Sequence, residues 1–259
     1  MNLRLIACHR GKNDGEGGRP LALDYDLLHK PYDTKSSQLS LEMNTTNKIF
    51  SLFPFLFPKR KKEIRAKLER ALRERCEVVG RRLQVGSISK PRLKFWLSGS
   101  NPFYLNGSIF LSYSMIFKSP EKQLETLDHE VTHHIQHSVN PHIKMSYSFE
   151  FLSFFYWVLT GKLRYGLANS SFQEGFATYV AYLTNGKLPK RVESGIIIVQ
   201  ERKRLKMLLT NADVIPYVLG YLAYAALAQT LPEADVLQAG VSATVTEWVR
   251  MVESSKLRN

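Results

Sequence analysis

The sequence predicts an α+β fold: a small, mostly antiparallel sheet packed against one long helix, then a helical C-terminal half. Three observations lead there. Between Arg92 and Leu111 short β-prone runs, RLKFWL and GSIFLS, are separated by the turn-forming SGSNP and LNG. From Leu124 onward apolar residues recur at helical spacing. Beyond Asn140-Pro141 the apolar segments SFEFLSFFYWVLTGKL, SSFQEGFATYVAYL, VESGIIIVQERKRLKMLL and PYVLGYLAYAALAQTL, with a final amphipathic piece near Val241 to Val252, all read as helix.

Taken in order, residues 1–47 mix Gly, Asp, Ser, Asn and Lys without a sustained period and read as a flexible arm. Residues 48–84 form a second region. Its apolar start is broken by Pro54 and Pro58, and it continues as an amphipathic helix with Ile64, Leu68, Leu72 and Val79 on one side. The other side carries Lys59, Arg60, Lys61, Lys62, Arg65, Lys67, Arg70, Arg73 and Arg75. Such a face is either a solvated surface or a docking site for an anionic partner, nucleic acid or membrane surface, through residues 59–82. Residues 85–259 are the third region. There Ser119 and Pro120 supply an N-cap and a first-turn proline, after which Leu124, Leu127, Val131 and Ile135 mark one helix face.

The 259 residues, 44% of them hydrophobic, suffice for one large core with appendages. Lys plus Arg exceed Asp plus Glu by 36 to 23, a formal net charge of +13 that favours anionic contacts. Cys8 and Cys76 are too few for a disulfide framework and lack the paired spacing of a cysteine zinc site. The brief apolar run at the start argues against a cleavable secretion signal. The stretch Phe149 to Thr160 contains Glu150 and is shorter than the roughly 20 residues of a membrane span. A soluble, cytoplasmic protein is expected.

Chemistry concentrates at His129-Glu130-Val131-Thr132-His133. Two histidines four positions apart on a helix project from one face and reach a single ion, while Glu130 leans toward the same pocket. A zinc ion needs neutral imidazoles and a vacant position for water, and a carboxylate beside that water takes its proton. A catalytic zinc has three protein ligands as a rule. The metzincin continuation fails, because Gln136 stands three positions after His133 and Val139 six positions after it. A third histidine is limited to His137, badly placed on the same helix, or His142, cramped beyond Pro141. Glu174 is the better candidate, a carboxylate expected at the start of a second helix. Ser171 and Glu174 also have the spacing of a capping box, which accounts for the glutamate without a metal.

With an HExxH helix followed by a glutamate in the run EGFA, the sequence resembles the gluzincin peptidases over roughly residues 92–185. The resemblance implies a zincin-like domain at 85–259. In it His129, His133 and Glu174 hold one Zn2+, Glu130 acts as general base, and a peptide or protein is the substrate. It also implies that the strand around Ile109 to Ser112 rims the cleft and pairs with an extended substrate. Where many gluzincins carry an acidic residue that orients a histidine, this chain offers Thr178. The glycine-rich signature of the aminopeptidase branch is missing upstream, which favours an endopeptidase-like site. Tyr217 and Tyr221 are candidates for the oxyanion donor, against a reading as core aromatics. His137 is a candidate support for the ligands, whereas His134 and His142 read as surface or loop residues.

A protease recruited to nucleic acid or a membrane by its basic helix is one further reading, and two more stand beside it. One is a non-catalytic zincin-fold module that docks through its basic helix. The other makes that helix an inhibitory segment covering the cleft.

Overall fold

The computed structural model describes residues 58–86, 88–96, 102–112, 115, 118–141, 143, 160, 165–200 and 212–256. The arm at 1–47, the start of the 48–84 region, the apolar stretch up to residue 159 and His142 lie outside the described residues. Those described hold seven helices and one three-stranded sheet, a mixed and mostly helical architecture.

Helix α1, Pro58–Arg82, begins at a proline whose missing N–H costs nothing in a first turn. It ends where Gln84 adopts a left-handed φ of 53°. Its apolar stripe behaves as the spacing predicts: Leu68, Leu72 and Val79 are buried in the main core, Ile64 packs beside it, and Leu83 just past the helix is buried with them. The helix is thereby built into the same core as the regions that follow. Lys59, Lys62, Arg65, Lys67, Arg70 and Arg73 are exposed. Arg75 departs from the expected basic face, turning inward to the buried Asp128.

The sheet has the order β1–β3–β2, with β1 at Arg92–Trp96, β2 at Phe103–Leu105 and β3 at Ser108–Ser112. Asn106 and Gly107, at φ of 45° and 72°, form the two-residue turn that joins β2 to β3 as a hairpin. The antiparallel register runs from Phe103↔Phe110 to Leu105↔Ser108. On its other side β3 pairs in parallel with β1, from Arg92↔Ser108 to Trp96↔Ser112. The sheet is therefore mixed and not mostly antiparallel. Turn signals specify only the hairpin, and β3 slots between the two earlier strands where a simple meander would have left β2 in the middle. As a central strand β3 is buried on both faces, with Ser108, Ile109, Leu111 and Ser112 all covered.

Helix α2, Pro120–Val139, starts as its sequence dictates: Ser119 Oγ accepts from the Lys122 N–H at 3.4 Å, and Pro120 occupies the first turn. Helices α3 (Tyr165–Asn185), α4 (Lys190–Gln200), α5 (Ile215–Leu227), α6 (Glu233–Ser242) and α7 (Val245–Lys256) complete the fold. The expected amphipathic piece near Val241 to Val252 is two helices, because Thr244 and Glu247 build a reciprocal capping box that opens α7. Phe172, Phe176, Tyr179, Tyr224 and Trp248 form an aromatic cluster where α3, α5 and α7 meet. No helix among the described residues is long and apolar enough to cross a membrane.

The crossing of α3 and α5 is set by two glycines. A Cβ on Gly175 would meet the Gly220 backbone at 2.2 Å, and one on Gly220 would meet the Ser171 carbonyl oxygen at 1.9 Å. Only glycine permits so close an approach. This contact explains Gly175 in the EGFA run: it admits α5 directly against the residue after Glu174.

Candidate metal centre

The site forms where α3 lies across α2. His129 and His133 project from one face of α2, and Glu174 meets them from α3. His129 Nε2 lies 3.0 Å from Glu174 Oε2, His133 Nε2 lies 3.3 Å from the same oxygen, and the two Nε2 atoms are 3.2 Å apart. The side chain of His133 is 2% exposed, that of Glu174 10% and that of His129 15%, so the cluster is sheltered but not sealed.

The donor set fits a metal ion. A tetrahedral zinc bonded at about 2.0–2.1 Å has ligand–ligand edges of about 3.3–3.4 Å, close to the three separations here. Three donors at that spacing define one face of a tetrahedron and leave its fourth vertex open. Two imidazole nitrogens and a carboxylate oxygen turned on one point repel one another unless protons or a cation lie among them. Electrostatics follow the same geometry. Burial alone would raise the Glu174 carboxyl, but the neighbouring His133 and the hydrogen bonds from both imidazoles hold it well below the usual range. Burial pulls His133 downward, and Glu174 more than compensates, leaving it raised.

Glu174 sits in mid-helix rather than at a helix start, because α3 begins back at Tyr165. Ser171 is likewise inside the helix, its buried Oγ unpartnered, so no capping box explains the glutamate. Thr178 does not orient a histidine either; its hydroxyl donates to the Glu174 carbonyl of its own helix at 2.7 Å.

Support for His133 comes from Gln136. Its Nε2 donates to the Gly240 carbonyl at 2.8 Å, tying α2 to α6. Its Oε1 and His133 Nδ1 are both buried with no hydrogen-bond partner, and Gln136 lies close enough to raise the basicity of the imidazole. The same Gln136 that breaks the metzincin pattern is thus a neighbour of the cluster, a role that spacing alone does not reveal.

Glu130 is buried at 5% exposure. The backbone N–H of Tyr104 donates to its carboxylate, while Oε2 has no hydrogen-bond partner. Burial raises its pKa, and His129 and His133 partly offset that. The donation places β2 along the site. In a two-residue hairpin with Leu105 opposite Ser108, Tyr104 directs its N–H away from β3. The strand beside the site is therefore the edge strand β2. The stretch Ile109 to Ser112 expected as the rim belongs to the central strand, its Ile109 and Phe110 paired on both sides.

The remaining aromatic and histidine candidates separate cleanly. Tyr217 on α5 stacks on the His129 ring, with centroids 5.6 Å apart and planes 20° from parallel. Burial and then the Glu174 carboxylate push its phenol well above the ordinary range. Tyr221, one turn on, packs among Tyr179 and Tyr182 in the core. His134 is not a surface residue: it is 3% exposed, wedged between Tyr104 and the Ser89 carbonyl. His137 lies beside Tyr104, ring centroids 6.0 Å apart.

Behind the cluster, Asp128 is fully buried. It receives Arg75 Nε and Nη2 from α1 and Asn185 Nδ2 from α3. This junction holds the start of the HExxH turn between two other helices. No family model, curated protein or solved structure matches the chain.

Proposed function

We propose that this protein is a zinc-dependent metallopeptidase of the gluzincin type, with a zincin-like arrangement of sheet edge, HExxH helix and glutamate helix. The observation that carries the proposal is the donor triangle of His129, His133 and Glu174 at tetrahedral spacing, flanked by a buried glutamate with an unpartnered oxygen. A zinc ion held there supplies a Lewis acid that polarises a carbonyl and acidifies water.

The chain's own residues supply the rest. Glu130 Oε2, raised by burial and free of a protein partner, takes the proton of the attacking water and passes it to the departing amine. The Tyr104 N–H keeps that carboxylate aimed. Tyr217 stays protonated and is positioned beside His129 and Glu174 to donate to the developing oxyanion.

The test is zinc content by elemental analysis of wild type, His133→Ala, Glu174→Ala and Glu130→Gln, with cleavage of quenched-fluorescent peptide pools measured alongside. Near-stoichiometric zinc in wild type and Glu130→Gln, its loss in the other two, and cleavage by wild type alone are expected. Folded wild type that takes up no zinc and cleaves nothing when zinc is added refutes the proposal.

A second reading is favoured by one observation, the exposed basic residues of α1 from Lys59 to Arg73. They suit a zincin-fold module that docks on nucleic acid or an anionic membrane. Steeply salt-dependent binding that survives Glu130→Gln, in a protein without peptidase activity, would select that reading.

A further inference from the structure

Arg191 opens α4 beside the His129–His133–Glu174 cluster. Cations at a helix N-terminus oppose the macrodipole, yet Lys190 and Arg191 share the first turn with Glu193. No carboxylate among the described residues forms an ion pair with Arg191. Its guanidinium lies over the Tyr217 ring instead, 4.5 Å from the centroid. That ring stacks on His129, 5.6 Å away. The two spacings bound the guanidinium to within about 10 Å of the His129 ring, the reach of about three residues of extended chain.

The same corner carries other positive charge. Burial lowers the Lys118 ammonium, Lys122 and more weakly Arg191 lower it further, and Glu125 opposes them. Lys122 has its own partner in Glu125 at 2.9 Å. Arg191 has no ion-pair partner among the described residues, and a cation beside a reacting centre attracts an anionic group.

We propose that Arg191 receives a carboxylate of the substrate, so that the site selects peptides bearing one within about three residues of the cleaved bond. The inference rests on the peptidase reading above. The carboxylate is either a free C-terminus or an Asp or Glu side chain, since both present the same two oxygens to a guanidinium fork. Stacking on Tyr217 holds that fork beside the ring that would donate to the oxyanion, linking recognition to orientation of the scissile carbonyl.

The experiment uses the full-length, zinc-loaded protein and quenched-fluorescent peptide pools in three matched forms: free C-terminus without Asp or Glu, amidated C-terminus with one Asp or Glu, and amidated without either. Wild type is expected to cleave one of the carboxylate-bearing forms at least tenfold better in kcat/KM than the neutral form, and the preferred form identifies the source. Arg191→Gln should abolish that preference through KM, Arg191→Lys should retain part of it, and Arg191→Glu should shift it toward peptides carrying Lys or Arg. Binding of the uncleaved pools to Glu130→Gln protein, with and without Arg191→Gln, gives a readout independent of turnover. Cleavage of all three forms at equal rates overturns the inference and leaves the peptidase reading standing. Zinc-loaded protein that cleaves none of them overturns both.

Discussion

Replacing Arg75 by alanine tests whether α1 is part of the fold's foundation or an appendage. Asp128 has no exposed surface, and Arg75, 15% exposed in its side chain, supplies two of its hydrogen bonds while Asn185 supplies a third. Burial pushes the Asp128 carboxyl up even against the pull of Arg75 and Asn185, so desolvation outweighs the pairing. Removing one partner of such a pair costs about 3–5 kcal/mol, because the other charge stays buried and uncompensated. Asn185 remains, which puts Arg75→Ala near the low end, about 3 kcal/mol. For a chain of this size that lowers Tm by about 6–12 °C. The double variant Arg75→Met/Asp128→Leu removes both charges and should recover most of the loss. Thermal unfolding of metal-free protein, followed by circular dichroism, reads both. A Tm for Arg75→Ala within about 2 °C of wild type, or a double variant no more stable than the single one, refutes the reasoning.

Other outcomes follow from the site and its supports. Gln136→Met should weaken zinc binding about 10- to 100-fold in competition with a chelator, while Gln136→Glu, which keeps an acceptor for His133, loses less; equal affinities refute the assigned role. Gly220→Ala drives a methyl into the Ser171 carbonyl and should cost about 3 kcal/mol or more, spreading α3 from α5 and lowering zinc content together with stability. Burial pushes the Cys76 thiol up to about 11, so at pH 8 only about one thiol in a thousand is ionised. Iodoacetamide should therefore spare Cys76 in folded protein and label it in denaturant, as mapped by mass spectrometry. Because the folded pKa is the raised one, the stability Cys76 contributes is present below about pH 9 and lost toward pH 11, and a Cys76→Ala comparison should show the gap narrowing over that window.

The inhibitory-segment reading of the basic helix meets a physical objection in the same junction. A segment poised to leave a cleft would not bury Leu68, Leu72, Val79 and Leu83 in the main core while its arginine neutralises a buried aspartate. The helix has two unlike faces: an apolar one that folds the protein, and an exposed cationic one available to a partner.

The sequence by itself determined what depends on neighbours within one or two turns. Helical spacing located the buried stripes of α1 and α2, Ser119-Pro120 opened α2, and Asn106-Gly107 turned the hairpin. The i, i+4 rule put His129 and His133 on one face, and residue chemistry singled out Glu130 and Glu174 for the company they keep. Tertiary structure decided what joins distant segments. The parallel pairing of β1 with β3 placed the edge at β2 rather than at Ile109 to Ser112. The Gly175–Gly220 crossing brought Tyr217, and not Tyr221, to the His129–His133–Glu174 cluster, with Arg191 on the same ring. Asp128 drew Arg75 out of the basic face, and Gly240 anchored Gln136 from across the chain. Periodicity records which side of an element is apolar, but the contacts a buried polar group makes are set by which helices meet it, and those meetings are invisible in local spacing.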